Sequence, residues 1–140
     1  GLTEIQLQTG LGAVDHIDFT TPYSEPLRQR LLRAGRNVAG GVVADGTYGV
    51  TQGPRLESAA EIRRMEQDGC AIVGMTALPE AALARELGID YATLAVVANW
   101  AAGKADTPLT MEVIEHNLTT GMQRVMALLT QLLQDVVPPE

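Results

Sequence analysis

The chain has 140 residues, enough for one domain with a modest core. At 46% hydrophobic and 19% charged it reads as globular rather than disordered. A net charge of −7 argues against nucleic-acid or anionic-membrane binding, which needs Lys and Arg to neutralise phosphates. Nine of the ten basic residues are Arg, and Lys104 is the only Lys. Since Arg pairs well with carboxylates, most of these read as partners for the 17 acids. Cys70 is the only cysteine, so no intrachain disulfide is possible, and a small buried residue is a better reading than a nucleophile. No basic-then-apolar leader opens the sequence and no apolar run reaches the ~18 residues of a membrane span, so a cytoplasmic location is expected.

Residues 1–12 show weak periodicity and two glycine breaks, and form a weakly defined N-terminal segment before the domain portion 13–140. Pro22 and Pro26 bracket a helix start with Ser24 as N-cap and Leu27, Leu31 and Leu32 as its apolar stripe, ended by Gly35. Val38–Val43 and Thr47–Thr51 read as two short strands joined by Asp45-Gly46 in a hairpin. Ser58 to Gly69 predicts a helix with a Ser58-x-x-Glu61 capping box and a glycine stop.

Ala71–Met75 is continuously apolar, as a strand buried on both faces would be. Pro79 suits the first turn of a helix running to Gly88, with Ala82, Leu83 and Leu87 inward. Tyr91–Ala98 reads as a further buried strand. From Thr110 a long amphipathic helix places Ile114, Leu118, Met122, Val125, Leu129, Leu132 and Val136 on one face, until Pro138-Pro139 stops it. The sequon Asn117-Leu118-Thr119 falls inside this helix and is discounted. The alternation predicts an α/β fold, a mixed sheet flanked by helices.

Ligands in such sheets collect at the carboxyl ends of strands. Glu57, Thr76 and Asn99 each follow a predicted strand. Each also has an ordinary reading: an acid favoured by a helix dipole, a hydroxyl satisfying a loop, and a turn residue. Thr76 has one further physical argument, because free N–H groups of the helix near Pro79 would favour an anion such as phosphate. His16 and His116 are not placed in a site, and no metal-ligand constellation is present in the sequence.

The blocks Gly53-Pro54-Arg55-Leu56-Glu57-Ser58-Ala59-Ala60-Glu61, Gly74-Met75-Thr76-Ala77-Leu78-Pro79-Glu80 and Val97–Lys104, in that order, resemble the purine nucleoside phosphorylase family. Val14–Thr20 with Pro22–Arg28 adds to a resemblance that covers roughly residues 13–140. It points to the trimeric branch, which includes the methylthioadenosine and methylthioinosine phosphorylases. The resemblance implies a partial phosphorylase/hydrolase-like fold, phosphate as co-substrate without a cofactor, and a homotrimer.

It also implies site roles. Thr76 matches the hydroxyl that holds phosphate, and Met75 the methionine lying against the ribose. Asn99 matches the catalytic position that contacts the purine, and Glu57 the acid reading the N1 edge of 6-oxopurines. That last match is chemically sensible, because a 6-oxopurine carries a hydrogen at N1 that ionised Glu57 can accept, whereas adenine presents a bare acceptor. Adenosine-type relatives carry an acid at the Asn99 position and another two residues on; here the sequence reads Asn99-Trp100-Ala101. Val113 or a neighbour matches the position near the ribose 5′ group, where an apolar side chain suits a methylthio group better than a hydroxyl.

Methylthioinosine is therefore the expected nucleoside, with methylthioadenosine, or inosine and guanosine, as alternatives. A noncatalytic purine-binding or assembly domain is the reading from another class. Two departures stand out. Leu56 replaces a common Phe, which removes aromatic stacking on the base. The family's glycine-rich phosphate loop, its Arg-His-Gly segment and its Asn-x-x-Gly-Gly stretch are not found in residues 1–140. The sequence thus looks like the carboxyl-terminal half of such an enzyme, expected to be inactive alone.

Overall fold

A computed structural model describes residues 16–106 and 110–134. Val14, Asp15, the segment 1–12, Val136 and the Pro138-Pro139 stop lie outside the described residues. The elements in order are α1 (Glu25–Gly35), β1 (Thr47–Val50), α2 (Ala59–Gln67), β2 (Cys70–Gly74), α3 (Ala77–Glu86) and α4 (Met111–Gln134). This is the α/β arrangement expected, with the long final helix in place. Among the described residues no helix is long and apolar enough to cross a membrane.

Local chemistry accounts for the helix starts. Ser24 caps α1 by accepting from the Leu27 N–H at 3.4 Å, with Pro26 in the first turn. Glu25 takes hydrogen bonds from Arg28 and Gln29, which hold its carboxyl at about 2. The capping box of α2 is complete: Ser58 Oγ accepts from Glu61 N at 3.3 Å, and Glu61 accepts from Ser58 N at 2.7 Å. Beyond α2, Gly69 adopts a φ of 85°, the left-handed conformation that ends a helix at little steric cost.

β1 and β2 pair in parallel with α2 as the crossover, and Val50 stands opposite Gly74. This replaces the expected hairpin. Val38–Val43 forms no strand: Val38 and Gly41 close tight turns onto Gly35 O and Val38 O, and Gly40 and Gly41 lie at φ 88° and 63°. Two successive left-handed residues break the extended backbone a strand requires. β2 is half-buried along most of its length rather than covered on both faces, and Cys70 is half-buried with it. Tyr91–Ala98 is likewise not a strand of this sheet. It joins no ladder among the described residues, and its ends are instead held by Ser24 N donating to Tyr91 O at 2.8 Å and Asn117 Nδ2 donating to Ala98 O at 2.8 Å.

The two later helices keep only part of the faces expected inward: in α4 Ile114, Val125 and Leu132 do turn inward. In α3 the buried positions are Ala77, Ala81 and Ala84, while Leu87, expected inward, is 72% exposed. Leu78 is non-helical, so the regular helix follows from Pro79, the residue expected in its first turn. In α4 the face turned inward runs through Ile114, Asn117, Gly121, Val125, Leu128 and Leu132, with Leu128 fully buried against Gly35 of α1. Leu118, Met122 and Leu129, expected on that face, are exposed. The reason is the close approach of residues 91–98, which selects a residue without a Cβ at 121 and an amide donor at 117.

Gly121 generates a specific expectation. A Cβ there would run into the Val96 side chain, a short branched group with little room to give. Gly121→Ala should therefore lower stability by about 1 kcal/mol or more, although alanine in a helix interior is otherwise favoured by a similar amount. In a Val96→Ala background the same change should become neutral or stabilising. Urea unfolding of the four variants checks the reversal of sign.

Candidate base and anion site

Parallel pairing brings the carboxyl ends of β1 and β2 to the same edge, and the site is assembled there. Beyond β1 the chain continues through Thr51 and the Gly53-Pro54 turn to Glu57, just ahead of the α2 cap. Beyond β2 it passes through Met75 and Thr76 into α3. Thr51 N donates to Gly74 O at 2.9 Å, so the pairing extends one step past the strand itself.

One contact orders the first turn internally, and two join the β1 side to the β2 side. The Thr51 hydroxyl donates to Glu57 Oε1 at 2.5 Å. Met75 Sδ packs over Gly53, lying 2.9 Å from where a Cβ would sit, so a larger residue there would push the methionine side chain aside. Tyr48 lies across Gly74, its hydroxyl 3.4 Å from Thr76 Oγ1, and any side chain at 74 would displace that ring.

Thr76 occupies the N-cap position of α3 without making a side-chain cap bond. Its hydroxyl is thus not consumed by a cap bond, and with Leu78 non-helical the regular part of α3 follows from Pro79. Such a helix start, with a hydroxyl and a tyrosine alongside, suits an anion. Glu57 is half-buried, whereas Leu56 is 76% exposed and offers an apolar surface on the same turn.

Asn99 sits on an exposed bend, and its Nδ2 donates to the neighbouring Trp100 O at 2.8 Å. Its loop is fastened over α2: Gly103 abuts Ala59, two residues past Glu57, and Lys104 pairs with Glu66. The structure therefore anchors the Asn99 loop at the α2 side, without a hydrogen bond between Asn99 and Glu57. Val113 stands half-exposed on the first turn of α4, capped by the Thr110 hydroxyl at 3.4 Å. No hydrogen bond ties it to the Thr51–Thr76 cluster among the described residues.

Tyr48 and Thr51 are the cluster members that sequence reasoning missed. Thr51 had a usable signal, since it is a polar residue at the carboxyl end of a strand already suspected of carrying a site. Tyr48 had none, because its role depends on lying across Gly74 in the other strand. A cavity of about 550 Å³ between Thr21–Pro26 and Gly88–Tyr91 shares no residue with this cluster. Tyr91 there donates to Glu80 at 2.6 Å, and that bond raises its pKa.

Arg55, on the same turn as Glu57, is committed elsewhere. It makes two bonds to Glu61, at 3.0 and 2.8 Å, and these with the Ser58 contacts hold Glu61 well below the usual carboxylate range. A depressed carboxyl stabilises the fold above its ordinary value of 4.5, and that contribution fades as pH falls through it. Melting temperature measured between about pH 6 and about pH 3 should therefore fall less steeply in Glu61→Gln than in the parent chain. Parallel curves for the two would contradict the assignment.

Residues 4–134 match the model of the phosphorylase superfamily. A probable S-methyl-5′-thioinosine phosphorylase from Pseudomonas syringae is 56% identical over 88% of this chain and 50% of its own length. A 6-oxopurine nucleoside phosphorylase from Pyrococcus furiosus is 50% identical over 73% of this chain and 39% of its own. Among solved structures, methylthioadenosine phosphorylase from Schistosoma mansoni in complex with adenine superposes with a TM-score of 0.82 at 25% identity, covering 93% of this chain and 51% of that one. The chain spans about half the length of the curated relatives it matches.

Proposed function

The chain belongs to the phosphorylase superfamily, and we propose that it carries the base-reading portion of a purine nucleoside phosphorylase. The substrate is a 6-oxopurine nucleoside, preferentially 5′-methylthioinosine, and the co-substrate is inorganic phosphate. The observation that supports this reading is the shared edge, where Glu57 is held by Thr51 and the Gly53 turn preceding it packs against Met75, the neighbour of Thr76. A carboxylate and an anion-suited hydroxyl at one edge match the two ends of a nucleoside undergoing phosphorolysis. The names of the similar proteins from P. syringae and P. furiosus support a 6-oxopurine.

In this mechanism phosphate oxygen attacks the anomeric carbon while the bond from that carbon to the purine N9 breaks. The sugar passes through an oxocarbenium-like state, the proton of hydrogen phosphate passes to the purine, and the products are hypoxanthine and 5-methylthioribose 1-phosphate. Glu57 accepts the N1–H, and the Asn99 amide, turned away from Trp100 O, donates to O6 or accepts from a protonated N7. The Asn99 donation favours the departing base as negative charge develops on it, while Glu57 selects and orients the base. Met75 lies against the ribose, Leu56 against the base, Thr76 donates to phosphate, and Val113 receives the methylthio group. The reaction has no covalent enzyme intermediate and needs no cofactor. The assembly is a homotrimer, as the family resemblance suggests.

The adenine-bound solved relative keeps methylthioadenosine as the second reading. Titrating the chain with hypoxanthine and with adenine while following Trp100 fluorescence separates the two. Hypoxanthine should bind more tightly, and Glu57→Ala should weaken it tenfold or more, the scale of a hydrogen bond to a charged group. A preference for adenine would overturn the 6-oxopurine assignment. The 140 residues alone should release no hypoxanthine from methylthioinosine and phosphate, because the further phosphate-gripping segments expected of the family are not in them. Phosphate-dependent release by the pure chain would contradict this.

A further inference from the structure

We infer that Thr51 is the positioning residue for Glu57, and that it sets the preference for purines bearing a hydrogen at N1. The inference rests on Glu57 reading the purine N1 edge. It begins from the backbone: Thr51 N is bonded to Gly74 O at 2.9 Å, which fixes this residue to the end of the sheet. From that fixed point its hydroxyl reaches Glu57 Oε1 at 2.5 Å. Gly74 O lies farther from the same hydroxyl, at 3.4 Å. A hydroxyl has one proton, and the nearer, charged acceptor takes it.

The rest of the turn cannot do this for Glu57. Arg55 is spent on Glu61, and Ser58 is occupied by the capping box. Among the described residues Thr51 is the side chain that is hydrogen-bonded to Glu57. Glutamate has three rotatable side-chain bonds, and ordering it costs conformational entropy. With Oε1 tethered to the sheet, that ordering is already complete and Oε2 remains to accept from the base. Thr51 itself is half-buried, which limits replacement of its hydroxyl by water.

The consequence is selective. A base with an N1–H gains from a correctly held carboxylate, whereas adenine presents a bare acceptor at N1. Losing the tether should therefore lower hypoxanthine affinity and leave adenine affinity nearly unchanged. A residue that merely supported the fold would weaken both together.

The test uses the 140-residue chain with Thr51→Val, which keeps the branched shape, and Thr51→Ser, which keeps the hydroxyl. Two readouts are taken: hypoxanthine against adenine affinity by Trp100 fluorescence, and Glu57 side-chain order by NMR relaxation of its methylene carbons. Thr51→Val should cut the hypoxanthine-over-adenine ratio about fivefold to tenfold, the scale of one net hydrogen bond, and release Glu57 into rotamer averaging. Thr51→Ser should restore both. Equal loss for the two bases, or an ordered Glu57 in Thr51→Val, would overturn the inference. If the parent chain binds neither base while Glu57 order still follows the hydroxyl, positioning stands, and the base reading of this site and the preference assigned to Thr51 both fail.

Discussion

Everything in the candidate site depends on β1 and β2 running in the same direction. Parallel pairing places both carboxyl ends at one edge, so two turns far apart in sequence become neighbours. Had Thr47–Val50 paired in a hairpin with the residues before it, Glu57 would have emerged with no fixed relation to Met75 and Thr76. The Thr51 N–H bond to Gly74 O carries the pairing just beyond the strand, to where the candidate site residues begin. The crossover helix α2 then sets the distance between the two turns, and its complete capping box fixes the residue after Glu57.

The helices were legible because their signals are local. Ser24, the Ser58–Glu61 box and Gly69 each act within one turn of chain, so their outcome does not depend on distant partners. The sheet was less legible because pairing is a long-range choice. Asp45-Gly46 reads as a hairpin turn only if residues 38–43 can extend, and the paired left-handed glycines at 40 and 41 prevent that. Tyr91–Ala98 has strand-like composition, yet strand character needs a partner, and its fastenings are to Ser24 and Asn117 instead. Glu57, Met75 and Thr76 could be singled out from the motif blocks. Thr51 could have been, as a polar residue at a strand's carboxyl end, whereas Tyr48 could not, since its importance is created by lying across Gly74.

The core explains why polar fastenings matter so much here. Of the seven buried apolar residues among those described, four are alanines, which bury little surface each. Segments are held in register by specific bonds as much as by apolar contact. Asn117 holds the end of residues 91–98, and Lys104 with Glu66 ties the Asn99 loop to α2. Around α4, Met111, Leu118, Met122, Met126, Leu129 and Leu133 form a second, exposed apolar stripe about 100° from the inward face. The helix is thus apolar over a wider arc than α1 and residues 91–98 cover.

Gly74 and Tyr48 occupy the same few cubic ångströms above the sheet. A side chain at 74 and a ring at 48 exclude one another, while only the ring brings a hydroxyl to Thr76. The two positions therefore form a single unit of inheritance. In homologous chains an aromatic residue at 48 should travel with glycine at 74, and a larger residue at 74 with a small one at 48. Chains of the second kind would have to find another neighbour for the hydroxyl at 76.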